Sequence, residues 1–583
     1  MVDLRCARRA AGATLAAWLL LPSIACRLDE HYDDEPEFVE RLDALRTEAK
    51  RLGEEAAAGA RTAPPTEAPA PLPEWYQQSD RPLLPQSPQP RPLTLDDLFV
   101  IALKHSTQIR VFSEMPLIRE TGIREAEGAF DVHAFARAQY DHKNEPVGNA
   151  LISTTRDRFV ENEGSLEFGL RKKVVTGAEL SLTQRLADKE SNASYFVPGH
   201  QTSATLTLRL AQPLLAGGGV RYNSSVMYLA RLDTDIAEQE LRRQVEAHLL
   251  EIARTYWALY AARATYAQYR LQAQFVGGIV DELKARANAD ALRHQILRAE
   301  SALSERRADL VRAELAILTG QERLRALVNE PEGWTNTEIV PTTPIHGRPF
   351  APDPARPAGA LALEQRPEVR QAFLQLRASA ERIGMNRDDV LPRLDLILEG
   401  RFGGLDRSFG LGHALGDGRR FDEAGGLVGL MLDVPLGNDT AEARLMRREF
   451  ELRQQFSQVR TTIDTVLLEV HISEREVEVG WRDMVGKSEA ARAAREEVQH
   501  LVARKDLEAM RAPASPFILD LMEAQDRQIE AERALAQAVA TYQVAVLNLQ
   551  RAQGTLLEFT SIAPVRSVEN GLPVIKLEKK PAP

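Results

Sequence analysis

The chain repeats itself, and the repeat limits its architecture more than any single motif does. Ile101 to Arg110 (IALKHSTQIR) parallels Leu361 to Arg370 (LALEQRPEVR), and the offset persists to Phe130 and Val390, each just ahead of strand-like sequence. Further on, Gln212-Pro213-Leu214 answers Val434-Pro435-Leu436, and Leu315 to Gly320 answers Leu549 to Gly554. A duplication at this scale makes the chain two copies of one supersecondary unit: helix, strands, long helix, long helix.

The helical parts are long. Uninterrupted helical patterns run from Pro213 to about residue 286 and from Pro435 to about residue 510, each followed by a second one, to about 328 and 559. At 1.5 Å per residue, a run of ~65 residues reaches on the order of 100 Å, far beyond ordinary globular helices. Leu452, Phe456, Val459, Ile463, Val466 and Val470 alternate in steps of four and three, as do Leu535, Val539, Tyr542, Val546 and Leu549. That spacing predicts coiled-coil rods. The stripes themselves are packing surfaces.

The strand-like parts alternate. In 133–141, Ala134, Ala136, Ala138 and Tyr140 oppose His133, Arg137, Gln139 and Asp141. In 203–210, Ala204, Leu206, Leu208 and Leu210 oppose Thr205, Thr207 and Arg209. In 394–402, Leu394, Leu396, Leu398 and Phe402 oppose Asp395, Glu399 and Arg401, and near 427–434 Val428, Leu430, Leu432 and Val434 oppose Asp433. Each is about the length at which a tilted strand crosses a bilayer, with lipid on one face and water on the other; a half-buried strand of a soluble sandwich reads the same locally. Residues 164–185 read as an additional hairpin around Thr176-Gly177, which either lengthens the strand pair or forms an exterior loop. Two strands per repeat cannot close a barrel, because small barrels need about eight, so a membrane-spanning version must oligomerise.

Composition narrows the function. With 44% hydrophobic and 27% charged residues but only 6% aromatics, the 583-residue chain suits packed helices. A net charge of -11 with no concentrated Lys/Arg block argues against nucleic acid as the partner. The only two cysteines, Cys6 and Cys26, lie at the N-terminus, so the body of the chain offers no disulfide, zinc or iron–sulfur framework. Arg5, Arg8 and Arg9 precede an apolar run from Ala10 to Ala25, which reads as an export signal rather than a membrane span. It ends in Ser23-Ile24-Ala25-Cys26, which resembles the lipobox of bacterial lipoproteins with Ser23 in place of the usual Leu; on that reading Cys26 is acylated and tethers the N-terminus to a bilayer. No other segment has eighteen consecutive apolar residues, so any other crossing must be made by strands.

The whole arrangement is similar to the TolC-like outer-membrane efflux proteins over about residues 93–560. Thr94 to Arg110 resembles that family's opening helix, Ala211-Gln212-Pro213-Leu214-Leu215 its strand-to-helix "QPLL" junction, and Pro516 to Gln525 (PFILDLMEAQ) running to Leu547–Glu558 (LNLQRAQGTLLE) its final helix and "GTLLE" end. The resemblance implies a mainly α fold with a membrane β-barrel: a trimer whose long antiparallel coiled-coil helices form an α-barrel tunnel continuous with a 12-stranded β-barrel, four strands per protomer. It implies docking on a periplasmic adaptor (membrane fusion) protein and an inner-membrane pump. It further implies a tip shut by a ring of acids, onto which Asp520 and Glu523 map; their i, i+3 spacing puts both on one helix face, where three copies converging on an axis focus a negative potential that favours cations. Solvated coiled-coil acids are the plainer reading of the same pair. The basic and hydroxyl gating partners expected just before them are replaced by Ala514, Ser515 and Pro516, and the first-repeat tip, Ala289 to Gln295, has Gln295 instead of an acid.

The domain plan is then a signal peptide at 1–25, a lipid-anchored charged and Pro-rich linker at 26–92, partly helical in 27–60, a first repeat at 93–340, a linker at 341–360, a second repeat at 361–560 and a C-terminal tail at 561–583. Thr94-Leu95-Asp96-Asp97 reads as a capped helix start. Catalysis finds no support. Ala216-Gly217-Gly218-Gly219-Val220 lacks the Lys-Ser/Thr of a phosphate loop and suits a strand-to-helix bend, and Gly410 to Gly416 has the wrong spacing for a dinucleotide fingerprint. The eleven histidines stand singly without HExxH, so neither a metal nor a cofactor is expected. The expectation is a non-enzymatic homotrimeric conduit in the outer membrane of a Gram-negative-type bacterium, its helices extending into the periplasm. The competing one is a periplasmic coiled-coil scaffold or adaptor without a pore.

Overall fold

The computed structural model describes residues 31–59, 83–84, 89–148, 153, 158–287, 292–329, 337–345, 349–350, 357–406, 424–509 and 514–579. The export signal, Cys26, most of the Pro-rich linker, the 289–291 part of the first-repeat tip and residues 407–423, the middle of the Gly-rich segment 402–426, lie outside these residues. The chain divides into two compact units, the first within Met1–Leu42, Arg119–Asp233 and Leu374–Ser457, the second within Asp43–Ile118, Thr234–Phe373 and Gln458–Pro583.

The elements follow the repeat. After an N-terminal helix, α1 (Pro36–Gly59), and a short strand, β1 (Gln89–Leu93), the first copy opens with α2 (Leu95–His105) and α3 (Thr107–Gly128). Thr94 caps α2 as expected: its Oγ1 accepts from the Asp97 N–H at 3.1 Å while the Asp97 carboxylate accepts from the Thr94 N–H at 3.0 Å. The second copy opens with α6 (Ala358–Gln365) and α7 (Pro367–Asp389), once β6 (Thr337–Pro341) is counted. Both opening helices break at the equivalent residue: the Ser106 N–H donates to Ala102 O, the Arg366 N–H to Ala362 O, and the next helix begins one residue later. At the second break Pro367 cannot supply an N–H to the preceding helix, so the interruption is written into the sequence.

Strands follow in each copy. The first has β2 (Val132–Pro146), β3 (Arg158–Lys173), β4 (Glu179–Ser191) and β5 (His200–Pro213); the second has β7 (Arg393–Asp406) and β8 (Ala424–Asp433). They form one antiparallel sheet in the order β2-β3-β4-β5-β7-β8. The expected four strands per chain are therefore corrected to six: the hairpin at 164–185 is part of a longer pair, β3 and β4, standing inside the sheet between β2 and β5. The correction has a physical cause. The turn Val174–Ala178 closes with Gly177 at φ +86, and alternation on both sides keeps one apolar face through the insertion.

The long helices are α4 (Val220–Ala285, 66 residues) and α5 (Arg293–Val328) in the first copy, α8 (Asp439–Ala509, 71 residues) and α9 (Ala514–Ala552) in the second. Among the described residues, no helix is long and apolar enough to cross a membrane. The heptad stripes are buried from Val459 onward, and Leu535, Val539, Tyr542 and Leu549 are among the least exposed residues. In the second unit these join a core centred on aromatic contacts: Trp481 stands edge-on to Tyr542 with ring centroids 5.3 Å apart, and Trp257 packs between Tyr256 and Tyr260 at 5.5 and 5.4 Å. There β1 and β6 pair in parallel. The buried Arg263–Glu338 ion pair is extended by the Leu83 N–H, which donates to Glu338 Oε1 at 3.1 Å and so fixes the end of the Pro-rich linker.

The stretch 561–583, expected as a tail, folds for most of its length. After the short helix α10 (Leu556–Phe559), β9 (Ile562–Glu569) and β10 (Leu572–Lys579) form a hairpin turned by Asn570 and Gly571, both at positive φ. An Asn-Gly pair between alternating apolar residues is the strongest short hairpin signal a sequence carries.

Candidate channel wall and entrance

Cross-strand partners in a sheet point to the same side, so the register assigns every residue a face. Ala134, Ala136 and Ala138 of β2 face Leu170, Phe168 and Leu166 of β3. Leu166 and Leu170 in turn face Leu186 and Leu182 of β4, which with Leu180 face Ala204, Leu208 and Leu210 of β5. The row continues through Leu206–Phe402 and Leu210–Leu398 to β7, and through Leu394–Leu432, Leu396–Leu430 and Leu398–Val428 to β8. One largely apolar face thus runs across all six strands, interrupted by Gln184 between Phe168 and Leu206 and by Lys172 between Val132 and Leu180. On β2 it occupies Val132 to Tyr140, matching the ~9–11 residues a tilted strand needs to cross a bilayer.

The opposite face is polar in most places. Arg137, Glu167 and Arg185 align across β2, β3 and β4, and Arg209 pairs in register with Glu399. An Arg185 N–H also donates to Glu163 at 2.7 Å. Phe135, Phe159, Ile397, Leu405, Leu427 and Met431 are the large apolar exceptions on this side. Beyond Tyr140, Leu186 and Ala204 the first face turns polar: His200 lies 2.9 Å from Asp188, and the Thr202 hydroxyl donates to Asp188 at 2.8 Å.

The apolar face is poorly covered. Leu166, Phe168 and Leu170 are 44%, 42% and 47% exposed, and on β8 Val428 and Leu430 reach 80% and 69%. Exposed contiguous apolar surface of this kind marks an interaction with lipid or protein. Near the middle of the sheet Ala134, Phe168, Leu182, Leu206 and Phe402, with Gln184 among them, line a cavity of about 710 Å³.

At the base of the sheet the strands feed helices. The Leu214 N–H donates to Leu394 O at 2.7 Å and the Ala216 N–H to Pro392 O at 3.3 Å, while Asn438 Nδ2 donates to Val390 O at 2.9 Å. The Gly217-Gly218-Gly219 run is the bend expected, with Gly217 and Gly219 at positive φ. Beside it the segment 31–35 is clamped. The Asp33 carboxylate accepts from Tyr228 Oη at 2.8 Å and from Arg377 Nε at 2.7 Å, and Glu381 accepts from the Tyr32 N–H at 2.8 Å. Arg221 lies over the Tyr32 ring at 3.9 Å and donates to Glu35 at 3.1 Å. Burial, reinforced by the hydrogen bond from its hydroxyl to Asp388, pushes the Tyr32 pKa up. Gly384 makes room, since a Cβ there would meet the Tyr32 ring at 1.9 Å.

Asp520 and Glu523 lie where their spacing implied, both exposed on one face of α9 with Leu521, Met522 and Ala524 buried behind them. Sequence reasoning missed their basic neighbours. Arg298 of α5 donates to Glu523 at 3.2 Å, and Arg527, which donates to Glu497 at 2.7 Å, also feels the charges of Glu523 and Asp520. Arg527 was legible as the i+4 partner of Glu523; Arg298 belongs to the other repeat and had no local signal. Among the described residues, no group of three or more His, Cys, Asp or Glu is placed to hold a metal.

No protein-family model matches the chain, and no curated protein does. Solved structures do. The outer-membrane channel OprN aligns at 17% identity over 85% of this chain and 98% of its own, with a TM-score of 0.57. The outer membrane protein VceC from Vibrio cholerae aligns at 18% identity over 79% and 96%, TM-score 0.55. The open state of the Neisseria gonorrhoeae MtrE outer membrane channel aligns at 16% over 85% and 98%, TM-score 0.56. The fold is that of these channels, as the resemblance implied.

Proposed function

We propose that this chain is the outer-membrane channel-tunnel component of an efflux or secretion system: a passive conduit from periplasm to exterior that catalyses nothing, needs no cofactor, and assembles as a homotrimer with a periplasmic adaptor and an inner-membrane pump. The apolar face running across six strands at bilayer-crossing length carries this reading, because it needs a covering that water does not supply. The fold supports it, since structures that share it are described as outer-membrane channels. The helices then extend into the periplasm, and Cys26, acylated, lies only five residues before clamped His31, within ~17 Å of chain reach of the sheet base. Asp520 and Glu523 form the entrance constriction, tempered by Arg298 and Arg527.

The pore-free scaffold reading gains one observation, the cavity of about 710 Å³ on the sheet, which a soluble sheet would keep. Fractionation separates the two. The channel partitions with outer membrane, requires detergent for extraction and gives discrete conductance steps in a planar bilayer; a protein released by salt that leaves bilayers silent is a scaffold.

A further inference from the structure

We infer that each copy contributes six strands to the shared wall, so that three copies close an eighteen-stranded barrel with a lumen wider than a twelve-stranded one. This rests on the trimeric channel reading and specifies its partner surface: the β2 edge of one copy against the β8 edge of the next. Within the chain the sheet begins at β2 and ends at β8, and neither edge has a second partner among the described strands. In lipid such edges are costly, since every unpaired backbone group there forfeits a hydrogen bond worth several kcal/mol. Every neighbouring pair is antiparallel and the strand count is even, so β2 and β8 run in opposite directions. Identical copies therefore join antiparallel, edge to edge, and the ring closes head to tail.

The hairpin β3–β4 belongs to this wall for three reasons. Its turn lies at the base, not the far end: the Gly219 N–H donates to Thr176 O at 3.0 Å, Gln212 Nε2 donates to the same oxygen at 3.0 Å, and a Cβ on Gly177 would meet Gly217 O at 2.6 Å. An exterior loop would not reach that level. Next, among the described strands β2 pairs only with β3, so without the hairpin β2 has no described ladder to the rest of the sheet. Last, the apolar and polar faces continue through both strands in register, with Lys172 and Gln184 the polar exceptions on the apolar side.

Barrel diameter grows roughly linearly with strand number, and barrels of 16–18 strands leave an aqueous channel. Eighteen strands make the outer section about 1.5 times as wide as twelve, so it passes correspondingly bulkier solutes and leaves size restriction to the periplasmic tip.

Single cysteines test the placement in the full chain, whose native cysteines are confined to positions 6 and 26. In proteoliposomes, Ser165→Cys and Thr183→Cys should react with a water-soluble maleimide, and Leu166→Cys and Leu182→Cys only with a bilayer-soluble one. Equal labelling of all four from water would place the hairpin outside the wall and overturn the inference while leaving the channel intact. Native mass on the same samples reads copy number: three supports the count, and any other number removes the trimer beneath it. As a check that needs no variant, polyethylene glycols added at the barrel mouth should enter up to a radius about 1.5-fold that of a twelve-stranded channel measured alongside; an equal cut-off contradicts the wider lumen.

Discussion

Arg298 on α5 and Glu523 on α9 form an ion pair at 3.2 Å, both side chains more than half exposed, so the acid expected at the entrance is held by a base from the other repeat. An exposed pair contributes less than about 1 kcal/mol to stability. Its influence lies in the field: removing the guanidinium unmasks the carboxylate. Arg298→Ala should leave thermal stability unchanged and raise the cation-to-anion permeability ratio about two- to threefold, while Asp520→Ala and Glu523→Ala lower it. Reversal potentials in a salt gradient measure this, and identical values for all three variants would remove the ring.

The clamp on the N-terminal segment depends on a glycine. In Gly384→Ala the added methyl falls on the Tyr32 ring, a conflict relieved only by displacing Tyr32 from Arg221 and Asp388, at about 1–3 kcal/mol. Hydrogen exchange at residues 32–35 should accelerate while that of α9 stays unchanged. Protection equal to wild type would mean that the clamp does not depend on this packing.

Glu246 supplies a pH dependence. Burial, reinforced by Glu368 and opposed by Arg551, Arg366 and Arg242, raises its carboxyl from 4.5 to about 8. The folded state keeps the proton that the unfolded state releases, so the contribution is full below about pH 4.5 and is lost as pH rises through about 8. Glu246→Gln should flatten the fall in melting temperature between about pH 5 and pH 8.5 and stabilise the protein at the upper end. A variant with the wild-type slope would show that another group carries it.

Gly177 should tolerate no side chain. Its positive φ and the approach of Gly217 O predict that Gly177→Ala costs about 1–3 kcal/mol and disturbs the turn against the strand-to-helix bend. Heat-modifiability on gels would fall, with the helical circular dichroism kept. Unchanged heat resistance would free the turn from that role.

The repeated element order, the long helices and the sidedness of β2, β5, β7 and β8 were legible because period and pattern are local properties. Ile101 announced the same helix as Leu361, and Val459 to Val470 announced a buried stripe. The strand count was not. Glu161, Glu163 and Glu167 look polar enough for an exterior loop until the register sets them on the polar side, opposite Leu166, Phe168 and Leu170. Pairing across the inserted hairpin is nonlocal, and so is the approach of Arg298 to Glu523, which joins residues far apart in sequence. The hairpin at 562–579 was within reach, since Asn570-Gly571 is a local turn signal.

The proposed conduit requires several copies to share one membrane-embedded wall. The most direct measurement is the native mass of protein extracted from outer membranes in mild detergent. A shared wall predicts three chains that separate only on heating or denaturation; a monodisperse monomer that stays in solution without detergent would contradict it.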